Sequence, residues 1–272
     1  MIISNSNRFI FIHLHKCAGS TITNLLSPHS RWNDIELGVT TLGEAVQRPY
    51  QQRFRLWKHA GADLVRGVLG EKLFGSYFKF AFVRNPLIRV VSFYTFIQKL
   101  HRHPSEQVRN MVGQWPISEA LRDSADFPEF IRHPRFVEPS MSRLLTESAD
   151  PDARVLVDFV GHVERFDHDI ATVFDRIGLP LPERIDRMNE SGQIGQRLRD
   201  FYRSEEDLEV VYRRWPKDFD LFGYSLEDSI AELRRPDDTP EERAVHADPS
   251  TTEGSASDST PPSRDAPISE EA

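Results

Sequence analysis

The chain has 272 residues, 39% apolar and 10% aromatic, enough for one sizeable domain with a real core. Its net charge of −8 is local: ten of the 42 acidic residues but only two of the 34 basic ones fall in 236–272, so 1–235 carries 32 of each and gives no case for a nucleic-acid surface. No run approaches the roughly 18 apolar residues of a membrane span, the polar start Met1 to Arg8 does not read as a secretory leader, and the single cysteine, Cys17, excludes an intramolecular disulfide, so the sequence points to a cytoplasmic protein.

Arg8 to Leu14 is a short, nearly unbroken apolar run rich in Ile and Phe, which predicts a strand buried on both faces. The loop from His15 to Gly19 follows, and Ser20 to Leu26 reads as the opening of a helix. Helices are expected around Thr41 to Gln47 and Ala62 to Leu69, with a short strand between them at Phe54 to Trp57. Tyr77 to Val83 predicts a second buried strand, and Asn85-Pro86 then starts a helix with a good cap residue and proline at its first position. Leu87, Val90, Val91, Tyr94 and Ile97 give that helix its apolar face. His101 to Asp152 is polar and proline-punctuated, with helical pieces but no core strand. Leu156 to Val160 is a third strand candidate, and Asp167 to Ile177 an amphipathic helix stopped by Gly178 and Pro180. Ser204 with Asp207 resembles a capping box opening a helix to about Arg214. Strands alternating with helices predict an α/β fold with a central, mostly parallel sheet flanked by helices, in three P-loop-like layers. A domain is expected over 1–235. Residues 236–272 hold six prolines and almost no large apolar side chain, so they are expected to form a disordered acidic tail.

Two strand–helix junctions carry chemistry. At the first, Lys16, Cys17, Ala18, Gly19, Ser20 and Thr21 supply a cation, a close-approach backbone and two hydroxyls in the geometry that grips phosphates. An ATP loop places its lysine directly before the hydroxyl that binds magnesium; here the lysine comes first, which argues against a kinase and against a required metal. At the second, Arg84 stands at the C-terminal end of a strand, where ligands bind in open α/β sheets, and Ser92 follows two helical turns on. Arginine with a serine hydroxyl suits a phosphate dianion. The alternative at each junction is structural: Arg84 paired with an acid, Ser92 bonded to its own helix. Arg89 shares a helix face with Ser92 and orients the phosphate or forms an ion pair. Together the junctions indicate a ligand with two separated anionic groups.

Phe11 to Thr21 resembles the 5′-phosphosulfate loop of the sulfotransferases that use 3′-phosphoadenosine 5′-phosphosulfate (PAPS), and Phe82 to Tyr94 resembles their 3′-phosphate motif. The nearest branch is the carbohydrate sulfotransferases of the heparan 2-O and chondroitin type, with their bacterial relatives. Val157 to Glu164, Met188 to Ser191, Asp218-Phe219 and Phe222 to Tyr224 fit it too, so the likeness spans about residues 8–224. The resemblance implies that Lys16 to Thr21 hold the 5′-phosphosulfate and Arg84 and Ser92 the 3′-phosphate. It implies a hydroxyl-bearing acceptor, a glycan or glycolipid. Relatives often carry glutamine after proline in the middle region, where this chain has Glu138-Pro139-Ser140.

Sulfuryl transfer needs in-line geometry, charge stabilisation on the leaving phosphate and a base for the hydroxyl. Lys16 meets the second need. His59, in Trp57-Lys58-His59-Ala60-Gly61, is the candidate base, since the family places a histidine between the two anion motifs. Of the other histidines, His13 reads as strand packing, His15 as loop lining and His162 as a satisfied strand-end residue. Cys17 has no histidine–acid partner pattern and reads as a small buried side chain. A non-catalytic module binding adenosine 3′,5′-bisphosphate (PAP) or PAPS is the reading from another class.

Overall fold

The computed structural model describes residues 1–147, 154–186 and 198–234. The expected tail, 236–272, and the segment 188–191 lie outside the described residues. The chain forms β1 (Ile2–Ser4), β2 (Phe9–Ile12), α1 (Gly19–Leu26), β3 (Ile35–Glu36), α2 (Thr41–Phe54), α3 (Ala62–Leu69), α4 (Glu71–Gly75), β4 (Phe78–Val83) and α5 (Pro86–His101). Then come α6 (Glu106–Gly113), α7 (Pro116–Asp123), α8 (Phe127–Arg132), α9 (Met141–Leu145), β5 (Phe159–His162), α10 (Phe166–Ile177), α11 (Glu205–Arg214), α12 (Pro216–Phe222) and α13 (Leu226–Arg234). None of the described helices is long and apolar enough to cross a membrane.

The sheet order is β3-β1-β2-β4-β5, with β2, β4 and β5 parallel and the β1 and β3 edge antiparallel. Side chains alternate across a strand, and the apolar runs of β2 and β4 are therefore divided between two cores. Phe9, Phe11, Phe80 and Phe82 pack against Ile22 and Leu26 of α1 and Ile170, Val173 and Phe174 of α10. Ile10, Ile12, Ala81 and Val83 face Val65 of α3 and Met141 and Leu145 of α9. These are the three expected layers. A separate cluster joins α5, α7, α8, α11 and α12 through Val90, Ile117, Phe130, Leu208 and Phe219.

Several boundaries differ from the sequence expectation. Met1 to Arg8 is not merely a polar lead-in: Ile2 and Ile3 are fully buried in β1, a strand too short to show alternation. Phe54 to Trp57 is not a strand. Instead α2 continues through Pro49 to Phe54 and ends on a left-handed Arg55, so His59 sits in a turn between α2 and α3. The third central strand begins at Phe159 rather than Leu156, because its pairing with β4 runs from Phe80↔Phe159 to Val83↔His162. That shift carries Val163 and Glu164 to the C-terminal edge of the sheet. The capping box at Ser204 and Asp207 is present in both directions.

Candidate active site

Past Ile12 the chain leaves the sheet edge in a loop where Lys16 (φ 62°) and Ala18 (φ 56°) are both left-handed. Such backbone costs a residue with a Cβ about 1–2 kcal/mol, and loops of this kind turn successive N–H groups toward one point, a concavity suited to an anion. Ala18 is the N-cap of α1 and supplies no capping side chain. Gly19 is required for a different reason: a Cβ there would lie 1.9 Å from Nε2 of the buried His13. Gly19→Ala is expected to destabilise the fold by about 1–3 kcal/mol, the usual cost of overpacking. A melting temperature equal to wild type would show that His13 can yield.

Lys16, Ala18, Gly19, Ser20, Thr21, His59, Arg84 and Ser92 all line one cleft of about 1410 Å³ at the C-terminal edge of the parallel strands. Cys17 is the exception. Its thiol is turned into the core, 3.4 Å from the His15 carbonyl and 3.6 Å from Met141 Sδ. Burial pushes the thiol up to about 11, so only its main chain can face a ligand, and covalent chemistry there has no support. Neither Lys16 nor Arg84 forms an ion pair with a described residue. The Lys16 ammonium rests 3.8 Å from the centre of the Phe96 ring, and burial, reinforced by Arg84, lowers it to about 8. Burial also lowers Arg84, partly opposed by Glu164. Two cations held close together without a neutralising acid are costly unless an anion joins them.

The histidines are more closely coupled than the sequence reading separates them. His59 Nδ1 is 2.9 Å from the His13 carbonyl. A carbonyl only accepts, so Nδ1 carries the hydrogen and Nε2 the lone pair. Burial and the neighbouring His15 and His13 hold His59 well below its ordinary value, keeping the ring neutral. His15, read from sequence as loop lining, lies in ring contact with His59 and has Nδ1 3.0 Å from Glu138 Oε2. Trp57 is set edge-on to both rings, 5.4 Å from His59 and 5.9 Å from His15.

Arg89 neither touches the cleft nor forms the expected ion pair. It is fully buried, donating from Nε to the His15 carbonyl and from Nη2 to the Pro139 carbonyl, each at 3.1 Å, between Phe93 and Trp215. It clips the anion loop to the segment that carries Glu138. Glu164 accepts the Asn85 N–H at 2.7 Å and the Tyr224 hydroxyl at 3.0 Å, which joins two of the later sequence motifs to the Arg84 corner. His162 is a satisfied strand-end residue, bonded to the Phe222 carbonyl at 3.1 Å.

Lys16, Arg84 and the neutral imidazole of His59 line one cleft, and the sequence profile of the sulfotransferase family matches residues 1–225. The chain belongs to the sulfotransferase family. An uncharacterised protein of Archaeoglobus fulgidus is 31% identical over 139 residues, covering 50% of this chain and 96% of its own length. Carbohydrate sulfotransferase 14 of Danio rerio is 26% identical over 175 residues, covering 58% of this chain and 47% of its own, so the alignment takes in about half of that protein. No solved structure matches the chain.

Proposed function

We propose that the protein transfers the sulfuryl group of PAPS to a hydroxyl of a carbohydrate-type acceptor, with His59 as general base. The observation that carries the donor half is the pair Lys16 and Arg84: two half-buried cations, in no ion pair with a described acid, at the β2–α1 and β4–α5 junctions of one cleft. Their placement suits the 5′-phosphosulfate at the loop from Lys16 to Thr21 and the 3′-phosphate between Arg84 and Ser92. In this reading His59 Nε2 takes the acceptor proton, while Lys16 and the α1 N-terminus hold the charge that develops on the leaving phosphate oxygen. The acceptor half rests on the name of the fish relative and on Trp57, a 36%-exposed indole beside the base that offers a flat apolar face to a sugar ring.

The donor site is tested by thermal shift. A ligand present at a hundred times its Kd adds about 2.7 kcal/mol to the folded state. PAP is expected to raise the melting temperature of the wild type and not of Arg84→Ala. An equal shift in the variant would remove Arg84 from the 3′-phosphate. Labelled PAPS offered with neutral glycosides, anionic glycans and simple alcohols then tests the acceptor class, and transfer confined to simple alcohols would overturn the carbohydrate assignment.

A further inference from the structure

A base buried among cations faces a difficulty of its own making. When His59 takes a proton its ring becomes positive, and the groups around it offer little relief. His13 and His15 pack against its ring from the end of β2 and the anion loop, and Lys58 adjoins it in its own turn, with the Lys58 ammonium 3.3 Å from Glu44 of α2. Arg89 of α5 is engaged with main-chain carbonyls, and burial lowers the Met1 amino group beside β3 to about 4, so it brings no neutralising or added charge near pH 7. Of the described carboxylates on the cleft wall, Glu44 faces Lys58, Glu164 caps the Asn85 corner and Glu232 is exposed. Glu138 is the one directed at a histidine of the cleft.

Glu138 is also held. Its side chain is 14% exposed, its carbonyl accepts from Trp215 Nε1 at 3.2 Å, and the next carbonyl, Pro139, accepts from Arg89. Its carboxylate accepts from His15 Nδ1, which fixes the orientation of that ring beside His59. The two imidazole centroids are 3.5 Å apart, at 72°. One negative charge is thereby placed a single ring away from the base, where a low dielectric makes it count.

We propose that Glu138, acting through His15, is a positioning residue that offsets the positive charge His59 acquires during transfer. The assignment rests on His59 being the base. In the step it serves, the acceptor oxygen bonds to sulfur and its proton moves to His59 Nε2. The bond from sulfur to the 5′-phosphate oxygen breaks with its electron pair left on that oxygen. Glu138 keeps its charge and exchanges no proton.

The test is a cycle of Glu138→Gln, His59→Ala and the double variant. Rates are read as labelled sulfate released from PAPS to water and as transfer to a nitrophenyl glycoside. Glutamine preserves shape and the hydrogen bond but removes the charge. Glu138→Gln is expected to lower kcat roughly tenfold, with the KM for PAPS and protection by PAP unchanged. The acid limb of kcat/KM should move to lower pH, since a neutral amide no longer favours the imidazolium. In the His59→Ala background the same substitution should alter the residual rate less than about twofold, because its effect passes through the missing ring. A wild-type kcat and acid limb in Glu138→Gln, or the same loss in both backgrounds, would overturn the assignment. Wild-type turnover by His59→Ala alone would instead overturn the base on which it depends.

Discussion

His59→Ala is expected to lose sulfuryl transfer by roughly a hundredfold or more, the usual contribution of a positioned base, while PAP protects the variant as well as it does the wild type. The separation follows from where His59 sits. It sits in the turn between α2 and α3, and its partner is the His13 carbonyl rather than either cationic corner. Because burial holds the ring neutral below its ordinary range, the wild-type rate should stay level as the pH falls through 6.5. A histidine of ordinary basicity would begin to fail there. Equal turnover in wild type and variant would transfer the role to another group, and His15, in ring contact with His59, would be the first to examine.

Lys16→Met should be comparably severe. Removing one preorganised donor from developing oxyanion charge costs roughly a hundredfold to a thousandfold in the best-studied cases, and methionine keeps the packing against Phe96 while losing the cation. Burial first, and Arg84 second, lower the Lys16 ammonium to about 8. In the free enzyme it is therefore charged below that pH and neutral above it, so kcat/KM for PAPS should decline as pH rises past about 8. Lys16→Arg, which stays charged, should remove that descending limb even where its rate is lower. A limb that persists in the arginine variant would belong to a different group.

The placement of Lys16 and Arg84 in one cleft was legible because each follows a strand that announces itself. Phe9–Ile12 and Phe78–Val83 are apolar on both faces, and the residues after them can only lie at the sheet edge. The helix caps at Asn85 and Ser204 were legible for a similar reason: the chemistry is local. What sequence could not reveal was long-range. Glu138 and His15 are 123 residues apart, and no spacing rule connects them. Helical spacing put Arg89 beside Ser92, yet the burial of Arg89 turns its guanidinium to the His15 and Pro139 carbonyls instead. Three-residue strands such as Ile2–Ser4 fall below the length at which periodicity speaks.

The Arg89 clip has an evolutionary consequence. It pins both ends of a long excursion, since α5 carries the arginine and Pro139 receives it, and everything from α6 to α8 hangs between those two points. Met111, Trp115 and Val137 in that excursion reach the cleft, whereas the donor loop is secured from beneath. The segment is in effect an exchangeable cartridge. Its helices can be rewritten without disturbing the strands behind the proposed donor site, which would let a single chassis serve many acceptors.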